Sequence, residues 1–68
     1  MSYGNLRAEM ARGKITIEML SKLLNKHRGT IAYKITRGRF YADEAIKIKD
    51  NYFPGLEINY LFKLDDEG

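Results

Sequence analysis

The sequence has no cysteine, one histidine and one proline, and these scarcities exclude several classes of protein. Without cysteine there is no disulfide framework and no thiolate ligand, and one histidine cannot supply the histidine cluster of a zinc site. Apolar runs reach three residues at most, whereas a membrane-spanning helix needs about 20. The N-terminus also lacks the apolar core of a signal peptide. We therefore expect a soluble cytoplasmic protein with no metal, cofactor or small-molecule ligand, stabilised by packing.

Length and composition indicate one small globular domain. The chain has 68 residues, of which 44% are hydrophobic and 31% charged. This length is near the lower limit for a single hydrophobic core, which excludes two domains. The prediction is one domain over residues 1–68, with residues 65–68 (DDEG) as a frayed tail.

Charge is distributed unevenly along the chain. Residues 1–40 hold nine basic and two acidic side chains, a net charge of +7, whereas residues 41–68 hold three basic and seven acidic ones, a net charge of −4. Between Met19 and Ala42 there are six basic residues and no acidic one. Such a stretch attracts polyanions, and nucleic acid is the obvious one, although a solvated basic face is the simpler alternative.

Two helices are predicted in the first third of the chain. Apolar residues four apart predict a helix over residues 5–12, which Gly13 is placed to end. A second helix opens with Thr16 as its N-cap and Glu18 in the first turn, where the helix dipole favours a negative charge. Its apolar face continues to Leu24.

A short turn and a third helix follow. Residues 25–27 form the predicted turn, in which an asparagine can adopt the left-handed conformation. Ile31 and Ile35, four apart, predict a helix over residues 28–36. Gly38 breaks this pattern. The outer surface of this helix combines cations with hydrogen-bonding side chains and contains no acidic residue.

The last part of the chain predicts two more helices. The acidic pair 43–44 favours a helix start, although residues 46–49 alternate in the manner of a strand. Pro54 and Gly55 form a turn, and residues 56–62 give a short final helix. The spacing assigns these residues to the core: Leu6, Met10, Leu20, Leu23, Leu24, Ile31, Ile35, Phe40, Ala45, Ile48, Phe53 and Leu61.

The second and third helices have the layout of a helix-turn-helix. They are about eight residues long, a turn of three or four residues separates them, and the second is basic on its outer face. In this motif the first helix crosses the DNA backbone and the second enters the major groove.

Six parts of the chain form an ordered set: NLRAEMAR (5–12), ITIEMLSKLL (15–24), TIAYKI (30–35), Phe40, DEA (43–45) and YLF (60–62). This set resembles the lambda-repressor-like Cro/XRE group of helix-turn-helix regulators, in particular small phage and prophage regulators of bacteria. The resemblance covers about residues 5–63. It implies an all-α bundle of five helices, with helices two and three as the DNA-binding unit. It also implies a Cro- or repressor-like transcription regulator, associated with the bacterial nucleoid.

Several positions depart from the family pattern. Asn25 stands where glycine is common, and Lys26 stands where an apolar residue usually follows; the stem of this lysine could cover the same surface. Ser21 occupies the position of a small residue in the first helix of the motif. Gly38 comes one position later than expected, which places the roles of Thr36 and Arg37 in doubt.

Contacts to DNA are assigned to the third helix and its flanks. The residues expected to reach base edges are Arg28, Gly29, Ala32, Tyr33 and Thr36. Arg28 can grip guanine bidentately, and a methyl group or ring can contact a thymine methyl. The residues expected at the backbone are Lys26, His27, Thr30, Lys34, Arg37 and Arg39. Four alternatives stay open: Arg28 on a phosphate, Tyr33 on a phosphate, Gly29 without a role and His27 as an N-cap.

Partners follow from the small size of the domain. One copy contacts few bases, so a homodimer on two half-sites about 34 Å apart is expected. Ile58, Tyr60 and Phe62 form either the dimer interface or part of the core of one subunit.

Other functions are less favoured. The rival is a protein-interaction module on the same fold, such as an antitoxin-like or anti-repressor partner; RNA binding is a weaker third hypothesis. An enzyme is not expected, because the sequence has no glycine-rich phosphate loop and no nucleophile with a paired base.

Overall fold

Five helices make up the chain in the computed structural model, which describes residues 2–65. The elements are α1 (Gly4–Gly13), α2 (Ile17–Leu24), α3 (Arg28–Arg37), α4 (Ala42–Tyr52) and α5 (Ile58–Leu61). No strand occurs within residues 2–65, so the predicted all-α class with five helices is confirmed. Residues 66–68 of the expected frayed tail lie outside the described range.

The end of α1 differs from the prediction. Gly13 is the last helical residue, and Lys14 adopts the left-handed conformation at φ 59°. The backbone N–H of Ile15 donates to the carbonyl of Met10 at 2.8 Å, and the Ile15 side chain packs against the core. These two contacts hold Lys14 in a conformation that usually favours glycine.

The start of α2 matches the prediction. The Thr16 hydroxyl accepts a hydrogen bond from the backbone N–H of Met19 at 3.1 Å, so Thr16 is the N-cap. Glu18 lies in the first turn, near the positive end of the helix dipole.

The last two helices differ in how closely they follow the prediction. Residues 46–49 are helical, so the strand-like alternative is excluded. α5 is shorter than residues 56–62, because Leu56 belongs to the preceding turn. Its backbone N–H donates to the carbonyl of Phe53 at 3.0 Å, closing the turn at Pro54 and Gly55.

The core lies where α2 meets α3 and α4, and where α5 meets α1 and α4. The largest fully buried side chains are Leu6, Leu20, Ile31, Ile48 and Leu61. The predicted core is confirmed except that Leu23 and Phe40 are only partly buried and pack against its edge.

An aromatic cluster joins the N-terminal segment to the end of α3 and to α5. Tyr3 is buried, with its ring centroid 5.7 Å from that of Phe40 and 5.2 Å from that of Phe62. The Tyr3 hydroxyl accepts a hydrogen bond from the backbone N–H of Phe40 at 3.1 Å. The backbone N–H of Tyr3 donates to the carbonyl of Ile35 at 3.3 Å.

Asp65 is not the first residue of a frayed tail, which corrects that prediction. Its backbone N–H donates to the carbonyl of Ser2 at 2.8 Å, and its carboxylate accepts from the Ser2 hydroxyl at 3.0 Å. These hydrogen bonds fix Asp65 beside the N-terminal segment.

Candidate nucleic-acid interface

The turn between α2 and α3 is held by Ser21. The carbonyl of Ser21 accepts from the backbone N–H of Asn25 and, at 3.1 Å, from that of Lys26. Its hydroxyl donates to the carbonyl of Lys26. Asn25 takes the predicted left-handed conformation at φ 55°. A serine at this position therefore fixes the turn, and through it the start of α3.

Lys26 lies at the surface, at the end of this turn. The residue is exposed, while its backbone is tied to Ser21. Its ammonium group is therefore available at the surface beside α3.

The first turn of α3 is capped by His27. The Nδ1 atom of His27 accepts a hydrogen bond from the backbone N–H of Gly29 at 3.0 Å. A Cβ atom on Gly29 would lie 3.2 Å from this nitrogen, closer than ordinary van der Waals contact. Packing against His27 therefore favours glycine at position 29, independently of any contact with DNA. The His27 ring has a second nitrogen that the cap does not use.

Lys34 lies on the inner side of α3, which corrects its prediction as a DNA backbone contact. It is only 9% exposed, and its Nζ atom is 2.9 and 3.0 Å from the two carboxylate oxygens of Glu44 in α4. The ammonium also lies 4.2 Å from the centroid of the Tyr41 ring. Burial and neutralisation remove Lys34 from the surface available to a phosphate.

Glu44 has a second role at the start of its own helix. Its Oε1 atom also accepts from the backbone N–H of Tyr41 at 2.9 Å, at the start of α4. The carboxylate thus caps α4 and binds a cation from α3. Together with buried Ile31 and Ile35, this contact sets the rotation of α3 about its axis.

The opposite side of α3 is open to solvent. We call it the outer face of α3, and its members are Arg28, Gly29, Thr30, Ala32, Tyr33, Thr36 and Arg37. All are exposed except Ala32, which is half-buried. Helix periodicity places Gly29, Tyr33 and Thr36 near the middle of this face. The structure therefore brings together all five residues predicted to reach base edges.

Two internal contacts order side chains on the outer face. The Arg37 guanidinium carbon lies 5.8 Å from the centroid of the Tyr33 ring, within the range of a cation–π contact. The Thr36 hydroxyl donates back into the helix, with the carbonyl oxygens of Ala32 and Tyr33 at 3.0 and 3.1 Å. Gly38 ends α3 in the left-handed conformation, so Thr36 and Arg37 remain helical and keep their places on this face.

The electrostatics of this surface are strongly positive. Lys26, Arg28, Arg37 and Arg39 are exposed, and none of them forms an ion pair within residues 2–65. One acidic residue, Glu18, lines the same groove as Arg28 at the start of α2. The cations outnumber it, so the field near α3 favours an anion.

The three residues assigned to a dimer interface have different surroundings. Phe62 packs against Tyr3 and Phe40, so it belongs to the aromatic cluster of one subunit. Ile58 is half-buried, and Tyr60 is exposed. The Tyr60 hydroxyl donates to Glu9 at 2.7 Å. This hydrogen bond raises the pKa of Tyr60, with smaller contributions from desolvation and from the charge of Glu9.

Two residues of the site have roles that sequence reasoning missed, Glu44 and Ser21. Glu44 is ten residues from Lys34, and no local pattern joins the two. Ser21 had a weak signal as the small residue of the motif.

Residues 2–65 contain no group of three or more histidine or acidic side chains that could hold a metal ion. No helix in that range is long and apolar enough to cross a membrane. In comparisons with known proteins, no family model, no curated protein sequence and no solved structure matches this chain.

Proposed function

We propose that this protein is a sequence-specific, double-stranded DNA-binding transcription regulator. In this proposal it acts as a Cro- or repressor-like protein that occupies an operator. The observation that carries the proposal is the outer face of α3, exposed, rich in cations and held by α2 through a fixed turn. The resemblance to lambda-repressor-like regulators implies the same role.

The shape of the unit suits the major groove. This groove is about 12 Å wide and admits one helix, whose first residues reach the base edges. Arg28 and Gly29 are at that end of α3, on the exposed side. The guanidinium of Arg28 would donate two hydrogen bonds, to O6 and N7 of a guanine.

Flanking cations suit the phosphate backbone. Lys26 precedes α3, and Arg37 and Arg39 lie at its other end, so the three cations bracket the helix. Each neutralised phosphate contributes a slope of about −0.9 to log K against log salt, which gives about −3 for one copy. Two copies on adjacent half-sites would double this slope.

The proposal is tested by selecting bound sequences from a fragment library with the purified protein and then titrating salt. We expect retention of one short, near-palindromic sequence that weakens steeply with salt. Arg28→Ala should lower the affinity for that sequence by about 5- to 150-fold. Lys47→Ala, which removes an exposed cation from α4, is the matched control and should bind as the parent protein does.

Equal and weak retention of every fragment contradicts the proposal. The positive field would then be a general attraction, and the next experiment would be a search for a protein partner of the outer face. A loss of binding in Lys47→Ala equal to that in Arg28→Ala would likewise contradict the assignment of the interface to α3.

A further inference from the structure

A narrow apolar strip extends from the start of α2 onto the outer face of α3. Its members are Ile17 from α2 and Ala32 and Thr36 from α3. Ile17 and Ala32 line two neighbouring grooves, of which one also contains Thr36 and the other contains Arg28 and Gly29. The strip therefore lies between the two grooves, and it includes two of the residues proposed to reach base edges, Ala32 and Thr36.

The strip presents methyl groups rather than hydrogen-bond donors. Ile17 is 36% exposed although it is a large apolar residue. Ala32 contributes only its methyl group. Thr36 has a hydroxyl, but its hydrogen is directed to the carbonyl oxygens of Ala32 and Tyr33, leaving its methyl group as the apolar part of the side chain.

Charge around the strip defines what can cover it. Arg28 borders it at one end of α3, and Arg37 follows Thr36 at the other. Neither arginine forms an ion pair within residues 2–65, and Glu18 is the one acidic residue in the groove that contains Arg28. An apolar surface between these two cations fits an apolar group carried by a polyanion. In the major groove of DNA this group is the 5-methyl group of thymine.

We infer that Ile17, Ala32 and Thr36 read the thymine methyl groups of A·T base pairs in the bound site. Ile17 is then a specificity-determining residue contributed by the first helix of the motif. The inference rests on the proposed function and narrows it to target sites that carry thymine opposite the strip. Arg28 reads guanine in the same complex, so the two ends of the contact discriminate different bases.

The test uses the selected duplex with each thymine replaced in turn by deoxyuridine, which removes only the methyl group. We expect at least one position in each half-site to weaken binding about fourfold, the effect of one buried methyl group. Ile17→Ala should weaken the parent duplex by a similar factor and abolish the further loss from deoxyuridine at that position.

A pair of substitutions at Thr36 separates its methyl group from its hydroxyl. Thr36→Ser loses the methyl and should weaken binding, whereas Thr36→Val keeps it and should bind as the parent does. Ile46→Ala, at an exposed apolar residue of α4, is the matched control for Ile17→Ala. Circular dichroism confirms that each variant is folded.

Two results overturn the inference while the proposed function stands. In one, the protein selects a site, but no deoxyuridine substitution changes its affinity by as much as twofold. In the other, Thr36→Val weakens binding as much as Thr36→Ser. A protein that selects no duplex overturns both the proposed function and the inference.

Discussion

Lys34 and Arg37 lie one turn apart on α3, and their surroundings are opposite. The ammonium of Lys34 is buried against Glu44 and the Tyr41 ring. The guanidinium of Arg37 is exposed and lies near Tyr33 on the outer face. The first cation joins two helices, and the second is open to a ligand.

The comparison teaches that the number of cations in a stretch is not the charge of its surface. Six basic residues lie between Met19 and Ala42, but Lys34 contributes nothing to the exposed field. The position of the partner carboxylate decides the role, and that partner is on another helix.

The largest expected effect is on stability, from removal of the buried cation. Lys34→Met leaves the Glu44 carboxylate buried without its partner, which should lower the free energy of unfolding by about 3 kcal/mol. Urea denaturation measures this loss. The double variant Lys34→Met with Glu44→Gln should regain part of it, because the charge is removed and the glutamine oxygen can still cap α4. A loss below about 1 kcal/mol in the single variant would contradict the structural role of the pair.

The next largest effect on stability is expected at the start of α3, at the His27 cap. His27→Ala removes the acceptor for the Gly29 N–H and should lower the free energy of unfolding by about 1 kcal/mol. His27→Asn restores a good N-cap and should return the stability to near that of the parent. Thermal unfolding of the three proteins measures both changes. Equal losses in the alanine and asparagine variants would exclude the capping role.

A smaller effect on stability, with a clear effect on binding, is expected on the outer face. Arg37→Met should change the free energy of unfolding by no more than about 0.5 kcal/mol. Its salt slope for DNA binding should be less steep by about 1 for each bound copy, since the phosphate contact proposed for Arg37 would be lost. Salt titration by fluorescence anisotropy measures the slope. If the slope were unchanged, Arg37 would not contact the backbone.

The smallest expected effect concerns pH and the phenol of Tyr60. The hydrogen bond to Glu9 raises the pKa of Tyr60 above 10.0, so the folded protein holds this proton at higher pH than the unfolded chain does. The associated stabilisation is present below pH 10 and is lost as the pH rises through the raised pKa. Tyr60→Phe should remove this part of the alkaline loss of stability, measured by melting temperature from pH 9 to 11. The same alkaline slope in both proteins would contradict this contribution.

Local features of the fold were predictable from sequence. The Thr16 cap, the left-handed Asn25, the turn at residues 25–27 and the apolar spacing of α3 depend on residues close together in the chain. The end of α1 was not predictable in this way. Lys14 adopts a conformation expected of glycine because Ile15 is held by the core, and that restraint is tertiary.

In the candidate site, too, features set by local sequence were predictable and features set by tertiary contacts were not. Periodicity was sufficient to place Arg28, Ala32, Tyr33 and Thr36 on one side of a helix. It could not place Lys34, because this residue lies one helical turn from the exposed Thr30 and Arg37. Its burial is favourable only because Glu44 of another helix neutralises its charge. The aromatic cluster also required the fold, since Tyr3 and Phe62 are at opposite ends of the sequence.

The Tyr3 contacts bear on how cooperatively the protein unfolds. Tyr3 bonds to Ile35 and Phe40 and packs on Phe62, so its loss would loosen the end of α3 and the attachment of α5 together. When contacts join residues so far apart in a small chain, one segment cannot easily unfold without the others. Amide hydrogen exchange at Tyr3 should therefore be as slow as at the centre of α3. The side chains proposed to contact DNA would then lie on a helix that is ordered before any ligand binds, which lowers the entropy cost of recognition.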